Sequence, residues 1–89
     1  LPGNFPMTVI EKIHAQYVIP VLRETDEEKL FSLAKALADG GLNVLEVTLM
    51  SDSALKVIKR LSAVQGIIVG AGTVLDQEMA RKAMEAGAK

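Results

Sequence analysis

Apolar residues along the chain follow two alternating rhythms. Short runs of strand length at 17–22 (YVIPVL), 44–49 (VLEVTL) and 67–70 (IIVG) alternate with longer stretches of helical spacing. The first helical stretch opens at Thr8-Val-Ile-Glu11, a capping-box spacing, and carries Val9, Ile10 and Ile13 on one face. Thr25-Asp-Glu-Glu28 has the same spacing and opens a helix with Leu30, Phe31, Leu33, Ala34 and Leu37, which Gly40-Gly41 ends. Ser51 or Ser53 caps a third helix bearing Leu55, Val57, Ile58 and Leu61. Asp76 caps a fourth with Met79, Ala80, Ala83 and Met84, and Gly87 stops it. The two methionines Met79 and Met84 are read as core. His14, beside Ile13, is read as a surface or packing residue.

Strand, capped helix, glycine, strand is the signature of a parallel sheet with helical crossovers. The strands are expected to start near 17, 44 and 67, so a fourth would be due just after Lys89. The fold class is therefore α/β, and two architectures fit. One is a small open sheet. The other is the front of a parallel (β/α)8 TIM barrel, which needs about 200 residues or more when complete. On the second reading residues 7–89 are the N-terminal part of a single barrel domain: a helix and about three βα units. Residues 1–6 (LPGNFP) precede Met7 and are read as a tag or leader.

Composition narrows the function classes. The chain has 89 residues, 49% of them hydrophobic, with a formal net charge of -1. That suits one globular unit and lacks the basic excess that nucleic acid or an anionic membrane surface would select. No apolar run approaches the roughly 18 residues of a membrane span. With no Cys, thiolate metal sites, disulfides and a Cys nucleophile are excluded, and the lone His14 cannot build a multi-His site. A cytoplasmic location is compatible with the Cys-free composition.

The chemistry concentrates on the second strand. Alternation puts Leu45, Val47 and Leu49 on one face, toward the helices, and Glu46, Thr48 and Met50 on the other. Glutamate is poor in strands and costly to bury, so Glu46 stands out. It is either one half of a buried ion pair, with Arg23 or another cation, or a general acid/base. Arg23 after the first strand, Met50 at the end of the second and Thr73 after the third would rim one pocket, with Glu46 lower on its wall, since barrel sites lie at the carboxyl ends of strands. The Gly70-Ala-Gly-Thr73 exit is either a plain tight turn or a cradle for an anion or carboxylate. It is neither a dinucleotide fingerprint nor a Walker loop, because Leu75 stands where a third glycine belongs and no Gly-Lys-Ser/Thr follows.

Val18-Ile-Pro-Val-Leu-Arg23, Gly40-Gly41, Leu45-Glu-Val-Thr-Leu49, Val69-Gly-Ala-Gly-Thr-Val74 and Glu85-Ala-Gly-Ala88 occur in one order and spacing. In this the chain resembles the 2-keto-3-deoxy-6-phosphogluconate (KDPG) / 4-hydroxy-2-oxoglutarate (KHG) aldolases, from about Ile10 to Lys89. The resemblance implies a trimeric TIM barrel. It also implies metal-free class I chemistry, in which a lysine forms a Schiff base with pyruvate. Glu46 falls on the family's proton-transfer glutamate, Thr73 on its carboxylate-binding threonine, and Arg23 on a rim arginine of one branch. The implied partners are pyruvate and a keto-deoxy sugar acid.

Two departures accompany the resemblance. Many members read E-V-T-L-R, and here Met50 takes the arginine position, removing a charge-assisted bond to substrate carboxylate. The Schiff-base lysine belongs to a later strand: Lys12, Lys29, Lys35, Lys56, Lys59 and Lys82 fall on expected helices, and Lys89 ends the sequence. The alternatives are another phosphate-binding barrel, similar to thiamine-phosphate synthase, or a catalytically silent barrel fragment.

Overall fold

A computed structural model describes residues 7–89; the reading of 1–6 as a tag or leader lies outside them. The elements run α1 (Val9–Gln16), β1 (Val21–Leu22), α2 (Glu27–Asp39), β2 (Val44–Thr48), α3 (Asp52–Ser62), β3 (Ile68–Gly72) and α4 (Gln77–Ala86). The strands form one parallel sheet in the order β1-β2-β3. Each strand thus lies beside its neighbour in sequence, joined to it through a helix.

The core lies on one face of this sheet. Leu22, Leu45, Val47 and Val69 point into it. They meet Leu30 and Ala34 of α2, and Ala54, Val57, Ile58 and Leu61 of α3. Ala86 and Ala88, at and just beyond the end of α4, pack on the edge of the same cluster. Arg60 ties α3 to α2. Its guanidinium meets Glu27 at 3.0 Å and Glu28 at 2.7 Å and lies 3.9 Å from the Phe31 ring centre. The other face carries Val21, Val44, Glu46, Thr48, Ile68, Gly70 and Gly72, as the register Val21↔Glu46↔Gly70 and Thr48↔Gly72 requires. Glu46 therefore lies opposite the helix-packed side, as the alternation predicts.

Helix caps follow sequence with one exception. Thr8 and Glu11 close the expected capping box: the Glu11 N–H donates to Thr8 Oγ1 at 3.1 Å, and the Thr8 N–H to Glu11 Oε1 at 2.8 Å. Asp76 accepts from the Met79 N–H at 2.8 Å. Ser51 is the third N-cap, without a side-chain bond. At α2 the cap is Asp26 rather than Thr25: its carboxylate accepts from the Lys29 N–H at 2.9 Å. The N–H groups of Thr25 and Asp26 both donate to Glu24 Oε2. Aspartate is the stronger N-cap, and Glu24 holds the turn ahead of it.

Strand limits shift for identifiable reasons. The first run pairs only at Val21–Leu22. Tyr17 has φ of 69°, which breaks an extended chain, and Pro20 has no N–H to give. The Gln16 side chain occupies the vacated edge. Its amide accepts from the Val44 N–H at 2.9 Å and donates to the Val44 and Val18 carbonyls at 2.7 Å each. One side chain thus completes both backbone bonds of Val44. The third run extends two residues further than expected, to Gly72, because small residues weaken the strand signal without preventing pairing. At the outer edge of β3 the Lys89 N–H donates to the Val69 carbonyl at 2.9 Å. Two expected apolar faces stay open. Ile10 and Met84 are each 66% exposed, so Met84 is not a core residue and α1 buries no side chain fully.

Candidate active site

Glu46 is half-buried at the middle of β2. Parallel pairing places it beside Gly70, and Gly72 lies two residues further along the same face. The carboxylate leans over Gly72. A Cβ built there would overlap Glu46 Oε2 and come 2.7 Å from Cδ and 3.2 Å from Cγ. At Gly70 the same test meets only the Leu45 carbonyl, at 3.9 Å. The carboxylate is thereby directed toward the carboxyl ends of the strands, not across its registered neighbour.

Thr73 follows at that end, exposed, with φ of 58°. A β-branched residue in the left-handed region is uncommon and costs on the order of 1–2 kcal/mol. Strain of this kind tends to sit where the chain must present a group in one direction. Here it turns the backbone sharply out of β3 immediately after the glycine beneath Glu46. The Leu49 N–H still donates to the Gly72 carbonyl at 3.0 Å, fixing the two strand ends together.

Arg23 is exposed just after β1, at the same end of the sheet. The ion pairs among the described residues join Arg60 to Glu27 and Glu28, and Arg81 to Glu78 and Glu85. The ion-pair reading of Glu46 with Arg23 therefore has no contact behind it. Met50 is 51% exposed, and its N–H bonds back to the Thr48 carbonyl at 2.8 Å. Strand alternation has ended at Thr48. Met50 instead lines a cavity of about 260 Å³ with Ser51, Asp52, Leu55, Met79 and Lys82. Lys12, Lys29, Lys35, Lys56, Lys59 and Lys82 all lie on α1–α4, none on a strand. Among the described residues no group of three or more His, Cys, Asp or Glu forms a metal-binding cluster.

Sequence reasoning missed two residues. Gly72 reads in sequence as part of the third strand's exit, a tight turn or an anion cradle, although Gly70 and Gly72 share a period of two and lie on the Glu46 face of the sheet. That spacing was the available signal. Gln16 had no signal, because a helix-terminal glutamine that completes a strand edge looks like any polar residue.

The half-buried carboxylate of Glu46 and the strained Thr73 thus sit on β2 and just after β3, neighbouring strands of one parallel sheet. The family model for KDPG and KHG aldolases matches residues 9–89. The chain belongs to the KDPG and KHG aldolase family. Among similar proteins is the 2-dehydro-3-deoxy-phosphogluconate aldolase of Zymomonas mobilis subsp. mobilis, 51% identical over 70 residues, covering 79% of this chain and 34% of that protein. The KHG/KDPG aldolase of Escherichia coli K12 is 42% identical over 73 residues, covering 81% of this chain and 34% of that protein. A crystal structure of the 2-keto-3-deoxy-6-phosphogluconate aldolase of Zymomonas mobilis ZM4 with 3-phosphoglycerate is also similar. It superposes with a TM-score of 0.73 at 50% identity, covering 79% of this chain and 34% of that one. The chain thus spans about a third of the length of these KDPG and KHG aldolases. No helix among the described residues is long and apolar enough to cross a membrane.

Proposed function

We propose that the full-length protein is a class I pyruvate-forming aldolase. It would cleave a 2-keto-3-deoxy sugar acid, with or without a 6-phosphate, or 4-hydroxy-2-oxoglutarate, to pyruvate and an aldehyde. One observation carries the reading: in a chain of this family, the Glu46 carboxylate lies over Gly72 and leans toward the strand ends where Thr73 leaves β3. Family membership favours this over the thiamine-phosphate-synthase-like alternative.

The chemistry assigns each group a task. A lysine outside residues 1–89 adds to the C2 carbonyl of the keto acid. Glu46 donates the proton that lets the carbinolamine lose water and become an iminium ion. The iminium accepts the electron pair of the C3–C4 bond as the C4 hydroxyl gives up its proton and the aldehyde departs. The resulting enamine is protonated at C3, and hydrolysis releases pyruvate and the free lysine. A group at the middle of a strand, open to solvent on one side, is suited to take and return protons in turn. Thr73 holds the pyruvyl carboxylate through its hydroxyl and N–H. Met50 offers that substrate no donor, and Arg23 at the rim is the replacement guanidinium.

The order β1-β2-β3 with helices on one face supports completion as a TIM barrel, β3 receiving the next strand along the edge that Lys89 already touches. A homotrimer in the cytoplasm, with no metal or cofactor, completes the proposal. The 3-phosphoglycerate held by the Zymomonas mobilis ZM4 aldolase supports a phosphorylated three-carbon end for one substrate. The test is pyruvate release by the full-length protein from 2-keto-3-deoxy-6-phosphogluconate and from 4-hydroxy-2-oxoglutarate, in the presence of EDTA. Turnover of at least one is expected. No release from either substrate refutes the proposal, and release that EDTA abolishes refutes its metal-free mechanism.

A further inference from the structure

We infer that Gly72 is a positioning residue for the acid/base: its missing side chain is the seat on which the Glu46 carboxylate rests. The inference rests on the aldolase reading above and adds a residue to it. On the Glu46 face of the sheet, β3 presents Ile68, Gly70 and Gly72 in turn. A Cβ at Gly70 would meet nothing closer than 3.9 Å, so Gly70 is not required by its surroundings here. A Cβ at Gly72 would occupy the volume of Glu46 Oε2 and crowd Cδ at 2.7 Å and Cγ at 3.2 Å. Contacts of that length force the side chain to another rotamer or push the strands apart.

Backbone conformation does not explain the glycine. Among the described residues the glycines with positive φ are Gly41, Gly66 and Gly87, and Gly72 is not one of them. It lies in a regular parallel strand, where any residue fits the backbone, opposite Thr48 in the register. What the position demands is empty space, and the atoms that fill it belong to Glu46. The same glycine precedes Thr73, whose φ of 58° turns the chain out of the sheet. One residue thus sets the carboxylate's place and starts the turn that presents the threonine. Glu46 needs such a seat because, among the described residues, no ion pair fixes its rotamer.

The test is a pair of substitution cycles in the full-length protein. Gly72→Ala is expected to lower kcat by about 100-fold, the scale of an ångström-sized misplacement of a reacting group. KM should change by less than about threefold, because alanine fits the strand backbone at position 72 and leaves the Thr73 turn in place. Glu46→Asp shortens the side chain by one methylene and withdraws it from the seat. It should lower kcat in the parent yet lower it no further, or raise it, in the Gly72→Ala protein. A kcat for Gly72→Ala within about threefold of the parent overturns the inference. So does independent multiplication of the two effects. Stability gives a second, activity-free reading: Gly72→Ala should lower Tm in the parent and not in a Glu46→Ala background. If Gly72→Ala does not fold, recovery of folding by added Glu46→Ala supports the inference, and failure in both backgrounds overturns it. A parent protein without pyruvate-forming activity would sink the aldolase reading, while the stability cycle still judges the seat.

Discussion

Glu46 and Thr73 are both residues that a strand and its exit would ordinarily avoid. Glu46 was legible as an anomaly, since alternation alone placed a carboxylate opposite the packed face. Its orientation was not legible, because that depends on a glycine 26 positions later brought alongside by register. Glu46→Gln keeps the shape over Gly72 and removes the acid/base. It should lower kcat by about 10²–10⁴-fold without lowering Tm. Unaltered turnover in a steady-state assay would remove Glu46 from the mechanism. Thr73 is singled out in sequence by its place after the third strand and by the family resemblance, but its φ of 58° appears only in the structure. Asparagine tolerates the left-handed region better than a β-branched residue. Thr73→Asn should therefore raise stability by about 0.5–1 kcal/mol while weakening pyruvate binding. Denaturant melts and a pyruvate titration together check the opposite signs.

The elements themselves were largely written in the caps. Three of the four helix starts lie where the sequence puts them, and α2 differs by one residue because Asp26 outcompetes Thr25. The first strand was over-read because hydrophobic length cannot report Tyr17 at φ of 69° or the side-chain pairing of Gln16. That pairing is testable. Gln16→Leu leaves the buried Val44 backbone N–H and carbonyl without partners and should cost about 2 kcal/mol in a denaturant melt. A loss below about 0.5 kcal/mol would mean that water or the neighbouring chain replaces the amide. The capping box of α1 sets a pH dependence. The Thr8 N–H, and secondarily its hydroxyl, hold the Glu11 carboxylate below its ordinary pKa of 4.5. A lowered folded-state pKa contributes stability above the unfolded value and loses it as pH falls through the folded one. The first turn of α1 should thus loosen only in acid. Amide shifts of Thr8 and Glu11 should titrate together below pH 4.5, and Glu11→Gln should abolish the titration.

At the scale of the molecule, the repeat of strand and capped helix was sufficient for the α/β class and the parallel sheet, because each crossover helix must bury its apolar stripe on the sheet. It could not choose between an open sheet and part of a barrel. The proposal of a barrel draws on α2 and α3 packing on one face and on the strand order β1-β2-β3, both of which follow from tertiary packing. The same packing leaves the Glu46 face without a layer of helices. Every lysine before Lys89 lies on a helix, so the proposed Schiff-base mechanism needs a nucleophile outside residues 1–89. The most direct measurement is borohydride reduction of the full-length protein with pyruvate, followed by peptide mass mapping. A single reduced pyruvyl adduct on a lysine beyond residue 89 is predicted. No adduct, or one on any of the lysines from Lys12 to Lys89, would contradict the account.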